Sequence, residues 1–205
     1  MIAAPFTVGF DLDMTLIDSR PGVHATMTEL SRETGVHIDA DAVVGRLGPP
    51  LDEELAYWFP AEDIPAVGDR YRELYPEFAI EPTTAMPGAA ESYAAVRARG
   101  GRVLVVTAKY GPNAALHLEH LGLVPDLLVG WHWGPKKGEA LLAHGATVYV
   151  GDHVADIRGA RAAGAVAVSV ATGPVPAADL EAAGADVVLA DLRGFPAWLD
   201  GYPTA

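Results

Sequence analysis

The sequence predicts an α/β fold: a doubly wound, Rossmann-like parallel sheet core with an inserted α-helical cap domain. Three observations carry that prediction. Short apolar, β-branched runs alternate with Ala-rich amphipathic stretches through the second half of the chain. One more apolar run stands alone near the N-terminus. Between the two, residues 18–84 hold no β-branched run and show helical spacing instead.

The elements follow in order. The apolar run 6–10 reads as the first strand, too continuous for a surface element and therefore buried on both faces. Helical patterning then occupies 23–34, 51–59 and 64–78, punctuated by prolines at 21, 49, 50, 60, 65, 76 and 82. After it come runs at 103–107, 127–129, 147–150, 166–170 and 187–189, separated by amphipathic stretches at about 88–99, 112–121, 137–143, 154–163 and 177–183. Most of these stretches stop at a glycine, as at Gly100 and Gly164. Strands alternating with helices make βαβ units and a parallel sheet. The expected division is a core of 1–17 and 85–205 with a helical cap of 18–84.

Composition narrows the partners. Half of the 205 residues are hydrophobic and 20% are charged, the balance of a globular chain. Fourteen Lys and Arg against 27 Asp and Glu leave a net charge of −13. Such a chain repels phosphate backbones and anionic lipid, so neither nucleic acid nor a membrane is an expected partner. An anionic substrate must then be received by a local positive site. The absence of cysteine excludes thiol catalysis, thiolate metal sites and disulfides, and agrees with a cytoplasmic location. No apolar stretch approaches the roughly 20 residues that cross a bilayer.

In open α/β sheets, ligands bind beyond the carboxyl ends of the strands, so the residues just after each run matter most. Asp11 and Asp13 follow the first run; two residues apart in extended chain, they project to one side with Leu12 on the other. Such a pair can bind a hard cation or divide nucleophile and acid–base roles. Thr107 closes the second run, just after 103–106, with Ala108 and Lys109 behind it, and a hydroxyl near free backbone N–H groups suits a phosphate oxygen. Lys136 and Lys137 stand at a helix start, where the dipole disfavours cations, which suggests service to an anion. Asp152 and Asp156 follow the run 147–150, placed to bind metal or to hold a lysine.

This ordered set resembles the haloacid dehalogenase superfamily of phosphohydrolases. Its four motifs match Asp11-Leu12-Asp13-Met14-Thr15, Thr107, Lys136 or Lys137, and the stretch from Gly151 to Asp156. The insert after the first motif looks like the family's type 1 cap. Thr107-Ala108-Lys109 and Ala171-Thr172-Gly173 look most like the phosphoglycolate phosphatase branch. The resemblance implies a Mg²⁺-dependent phosphatase acting on a small phosphorylated metabolite, a monomer or homodimer. It implies Asp11 as nucleophile, Asp13 as general acid and base, and Thr107 with a lysine on the phosphoryl oxygens. The metal would sit on Asp11, the Asp13 carbonyl and Asp152, with Thr15 and Asp156 in support.

Departures from the family pattern are Met14, where that branch has glycine, and the missing Lys-Pro-x-Pro of the third motif. Lys137 is preferred over Lys136 because Lys-x-Glu-Ala-Leu fits a common variant spacing. Asp13 argues against a dehalogenase, since halide departs without a proton. The lack of lysine in 18–84 argues against a phosphonate-cleaving relative that uses a cap Schiff base. Arg46, Ala108, Lys109 and Lys136 are the substrate-binding candidates. Trp131, His132 and Trp133 are candidates for a wall of the site mouth, and His117 and His120 are expected at the surface or in packing. A nucleotidase, an inorganic pyrophosphatase and a non-catalytic phospholigand- or protein-binding member remain as alternatives.

Overall fold

The structure, a computed structural model, describes residues 6–203. Strand β1 (Thr7–Phe10) is followed by the short β2 (Ile17–Asp18) and four helices, α1 (Arg20–Thr34), α2 (Ala40–Val44), α3 (Leu51–Leu55) and α4 (Ile64–Phe78). The short β3 (Thr84–Ala85) then pairs antiparallel with β2, so the segment between them leaves and rejoins the core at one place. Regular alternation follows: α5 (Ala89–Ala98), β4 (Arg102–Val106), α6 (Gly111–His120), β5 (Leu127–Val129) and α7 (Pro135–Ala143). It continues with β6 (Ala146–Gly151), α8 (Val154–Ala162), β7 (Val166–Val170), α9 (Ala177–Ala182), β8 (Val187–Leu189) and α10 (Phe195–Asp200).

Six strands form one sheet in the order β5-β4-β1-β6-β7-β8, every neighbouring pair parallel. Alternation along each strand supplies both faces. Val8, Phe10, Val103, Val105, Val148 and Val150 enter a cluster with α5 and α10, where Tyr93 and Phe195 pack their rings on Phe10. Leu104, Val106 and Tyr149 enter the opposite cluster, with Leu141, Ile157 and Leu180 from α7, α8 and α9. Helices α1 to α4 gather a third cluster of their own, built on Met27, Leu30, Leu55, Leu74 and Tyr75. Among the described residues, no helix is long and apolar enough to cross a membrane.

Local differences from the sequence expectations have plain causes. Helix α2 is too short to show a period, and is started by the Asp39 side chain, which accepts from the Ala42 N–H at 3.0 Å. The helix expected over 51–59 ends at Leu55, and the chain turns before Pro60. Strand β4 stops at Val106, so Thr107 is the first residue beyond it, its N–H donating to the Val129 carbonyl at 3.0 Å.

Helices α7 and α8 approach closely because glycines face each other. A Cβ added at Gly138 would lie 2.8 Å from the Ala162 Cβ and 3.1 Å from the Gly159 carbonyl oxygen. A Gly138→Val substitution therefore has to push α7 off α8. Overpacking of this kind costs about 1–3 kcal/mol, and the urea midpoint should fall while the slope of the transition stays constant. An unchanged midpoint would show that the two helices tolerate separation.

Candidate active site

The site lies beyond the carboxyl ends of the two central strands. The Asp11 N–H donates to the Val150 carbonyl at 2.8 Å, which extends the pairing of β1 with β6 and sets Asp11 beside Asp152. A tight turn follows, in which the N–H groups of Leu16 and Ile17 return to the Leu12 carbonyl. Met14 stands in that turn at φ 60°, a left-handed conformation that costs a side-chain-bearing residue about 1–2 kcal/mol. The Thr172 hydroxyl, donating to the Met14 carbonyl at 2.6 Å, holds it there. Thr15 donates to Asp152 Oδ1 at 3.0 Å, and both residues are buried.

Both lysines fall in the first turn of α7, and the helix separates them. Lys136 is exposed at the rim of the cavity over the site. Lys137 has no exposed surface; its Nζ stands 2.9 Å from Asp11 Oδ1 and 2.6 Å from Asp156 Oδ1. Burial alone would lower a lysine pKa, but Asp11 and Asp156 push this one well up, so it stays charged. Asp156 is fixed in turn by the His153 N–H, which donates to its Oδ2 at 3.0 Å.

Asp11, Asp152 and Asp156 offer carboxylate oxygens that all lie within 4.8 Å of one another. One lysine cannot balance three such groups. Burial first, then the charges of Asp156 and Asp13, raise Asp11 to about 7 against the pull of Lys137. Burial, Asp156 and Asp11 push Asp152 well above its ordinary value. The loop after β7 closes around Asp152 so tightly that a Cβ on Gly173 would sit 1.7 Å from its Oδ2. Buried, crowded and oxygen-only, this donor set fits a hard divalent cation such as Mg²⁺.

The Asp13 side chain belongs to a different environment. Ser19 Oγ donates to its Oδ1 at 2.5 Å, and Lys109 Nζ lies 3.0 Å from the same oxygen. Burial pushes Asp13 upward, but Lys109 and the Ser19 hydrogen bond overcome it and hold the carboxyl below its usual range. Ser19 escaped the sequence reading. Its position before α1 looks like an ordinary helix cap, yet its side chain makes no cap bond and serves Asp13 instead.

Lys109 also donates to the Tyr75 hydroxyl at 2.7 Å, and that hydroxyl meets His117 Nε2 at 3.0 Å. The tyrosine hydroxyl thus links the Lys109 ammonium to the buried His117 imidazole. The expectation of a partnerless surface or packing histidine is corrected here: His117 is buried and bonded to a tyrosine 42 residues earlier in the chain. That contact arises from packing of α4 on α6, which helical spacing alone does not reveal.

Over the site lies a cavity of about 530 Å³, lined by Asp11, Asp13, Thr107, Ala108 and Lys109 on the core side. Trp131 lines it as well, at φ 59° and with its ring tilted against that of Tyr110, the centroids 4.9 Å apart. Trp133 instead packs its ring on His153, and His132 bonds the Gly130 carbonyl at 2.7 Å; neither lines the cavity. Arg46 is not among the lining residues either. It is clamped on Glu54 at 2.6 and 3.2 Å and covers the Tyr57 ring.

Comparison with known proteins gives this geometry its class. The family described as haloacid dehalogenase-like hydrolase matches residues 8–161, and the chain belongs to that family. Curated relatives include a phosphoglycolate phosphatase of Caulobacter vibrioides, 28% identical over 93% of this chain and 89% of its own length. Another, of Chromobacterium violaceum, is 30% identical over 89% of this chain and 90% of its own. Among solved structures, a haloacid dehalogenase-like hydrolase of Streptococcus pneumoniae superposes with a TM-score of 0.82 at 25% identity, covering 95% of this chain and 98% of that one.

His117 yields a pH prediction. Burial and the nearby Lys109 lower its pKa from 6.5 to about 3 in the folded protein. Between those values the unfolded chain binds a proton that the folded chain refuses, so stability rises with pH across that window. The contribution is complete above about 6.5 and is lost as pH falls toward 3. A His117→Gln variant removes it, and the gap in urea midpoint between wild type and variant should narrow steadily from pH 7 to pH 4. A constant gap would mean that His117 does not titrate with unfolding.

Proposed function

We propose that this chain is a Mg²⁺-dependent phosphatase that hydrolyses a small phosphorylated metabolite through an aspartyl-phosphate formed on Asp11. The observation that carries the reading is the division of two neighbouring carboxylates into separate environments: Asp11 on Lys137 in the buried acidic cluster, Asp13 on Lys109 and Ser19 at the cavity. Carboxylates held by different partners suit different tasks. The relatives named phosphoglycolate phosphatase support the same reaction class.

Asp11, at the floor of the cavity, attacks phosphorus in line, and the ester oxygen departs on the opposite side. Splitting the displacement in two avoids direct attack by water on a dianion. Asp13 protonates the departing oxygen. It rests ionised, but an incoming phosphate raises its proton affinity, as any like charge does, so the proton is taken up with the substrate. Once the alcohol has left, the ionised Asp13 accepts a proton from the water that hydrolyses the aspartyl-phosphate. Thr107 and Lys137 donate to the phosphoryl oxygens whose charge the transition state carries. Asp156 holds Lys137, and Thr15 holds Asp152. Asp11 and Asp152, with the Asp13 carbonyl, would hold Mg²⁺, which when bound supplies positive charge beside the phosphoryl oxygens.

With Mg²⁺ present, a panel of phosphate esters should reveal turnover that excess chelator abolishes. Asp11→Asn should lose it entirely while the circular dichroism spectrum stays native, because the amide is nearly isosteric but a far poorer nucleophile. Residual activity within tenfold of wild type would remove Asp11 from the nucleophile role.

The two lysines give a second test. Lys137→Ala should cost at least the 10²–10³ or so in rate that one oxyanion donor supplies, whereas Lys136→Ala, which removes only an exposed rim charge, should stay within about threefold. A reversed order would transfer the role to Lys136.

A further inference from the structure

The cavity over Asp11 has two unlike halves. The core half is polar, as described. The half contributed by α1 to α4 presents Val23 and Met27 from α1, Val43 from α2, then Leu47, Leu51 and Tyr71. No lysine occurs in that segment. The volume, about 530 Å³, falls among pockets that enclose whole organic ligands, roughly 300–1,000 Å³, and far exceeds what a two-carbon acid needs.

Two of its three lining cations, Arg72 and Lys109, are already engaged. Among the lining residues, Arg72 is bound to Asp69 at 2.9 Å and Asp52 at 3.2 Å, with its guanidinium over the Trp131 ring. Lys109 is taken up by Asp13 and Tyr75. Lys136 is exposed at the rim, where an ion pair contributes little. Asp52, Glu54 and Asp69 line the same side, so the wall facing a leaving group is apolar with an acidic margin. A carboxylate placed against that wall would lose its water and find there only Arg72, already shared by two aspartates, a costly transfer.

Resting on the phosphatase reading above, we infer that the substrate's leaving group is a bulky apolar alcohol, uncharged or cationic, rather than a carboxylated one such as glycolate. The phosphoryl group meets the polar floor, and the organic group fills the wall of Val23, Met27, Leu47 and Tyr71. Specificity follows from burial of apolar area on one side and from the missing carboxylate receptor on the other. Arg46, bound to Glu54 outside the cavity lining, does not supply that receptor.

The test compares kcat/KM for benzyl phosphate and 2-phosphoglycolate with the same Mg²⁺-loaded protein. Benzyl phosphate should be preferred by at least tenfold. Equal rates, or a preference for phosphoglycolate, overturn the inference and leave the phosphatase reading standing. Turnover of neither ester, nor of any other in the panel above, overturns both. A second arm places a cation on the wall: Leu47→Arg should lower kcat/KM for benzyl phosphate by tenfold or more and raise that for phosphoglycolate. Leu51→Arg repeats this from the adjoining turn if the first variant does not fold. An unchanged ratio in a folded variant overturns the placement of the leaving group.

Discussion

A lysine without exposed surface remains charged only where carboxylates enclose it, and Lys137 stands between Asp11 and Asp156 at 2.9 and 2.6 Å. The rest of the site follows from that arrangement. Asp156 must be anchored, and the His153 N–H anchors it. Helix α7 must deliver its first turn into the core, and it can do so only because Gly138 lets it lie against α8. The carboxylates must converge on one point, and the adjacent strands β1 and β6 bring Asp11 and Asp152 there. Breaking one member of a buried charged set leaves the others uncompensated, so these residues stand or fall together.

Charge is allocated with the same economy around Asp13. Its two partners come from different places, Ser19 at the start of α1 and Lys109 beyond β4. Lys109 then reaches Tyr75 in α4. The helical segment is therefore tied to the polar floor by a hydrogen bond as well as by apolar contact. In a chain with 14 basic residues against 27 acidic ones, few cations are at hand, and the two nearest the site are committed to aspartates.

How much of this was legible depends on whether the signal was local. A strand buried on both faces advertises itself by composition, and the polar residue after it marks its carboxyl end; Asp11, Thr107 and Asp152 are readable in that way. The spacing Lys-x-Glu-Ala-Leu favoured Lys137 over Lys136, but the physical reason, the rotation of α7 about its axis that buries one lysine and exposes the other, is set by contact with α8 rather than by the two lysines themselves. Ser19, Tyr75 and His117 were beyond reach for a related reason. Their significance comes from pairings across the boundary of the helical segment, between residues as much as 42 apart. The role of Met14 was half visible: an unusual residue for the turn was evident, but not the Thr172 hydroxyl that steadies it.

The place of β1 in the sheet bears on how the molecule is made. It is the first strand in sequence yet lies in the middle, in register with β4 at Thr7 and Arg102 and with β6 at Val8 and Val148. A chain emerging from the ribosome N-terminus first therefore exposes this strand, and Asp11 at its end, long before either neighbour exists. The helices α1 to α4, whose contacts are mostly with one another, are synthesised whole in that interval. Sheet closure has to wait for β6, and the wall around Asp152 waits for Gly173. Pairings so distant in sequence are slow to find, and the site is complete only once the chain has been made through Gly173.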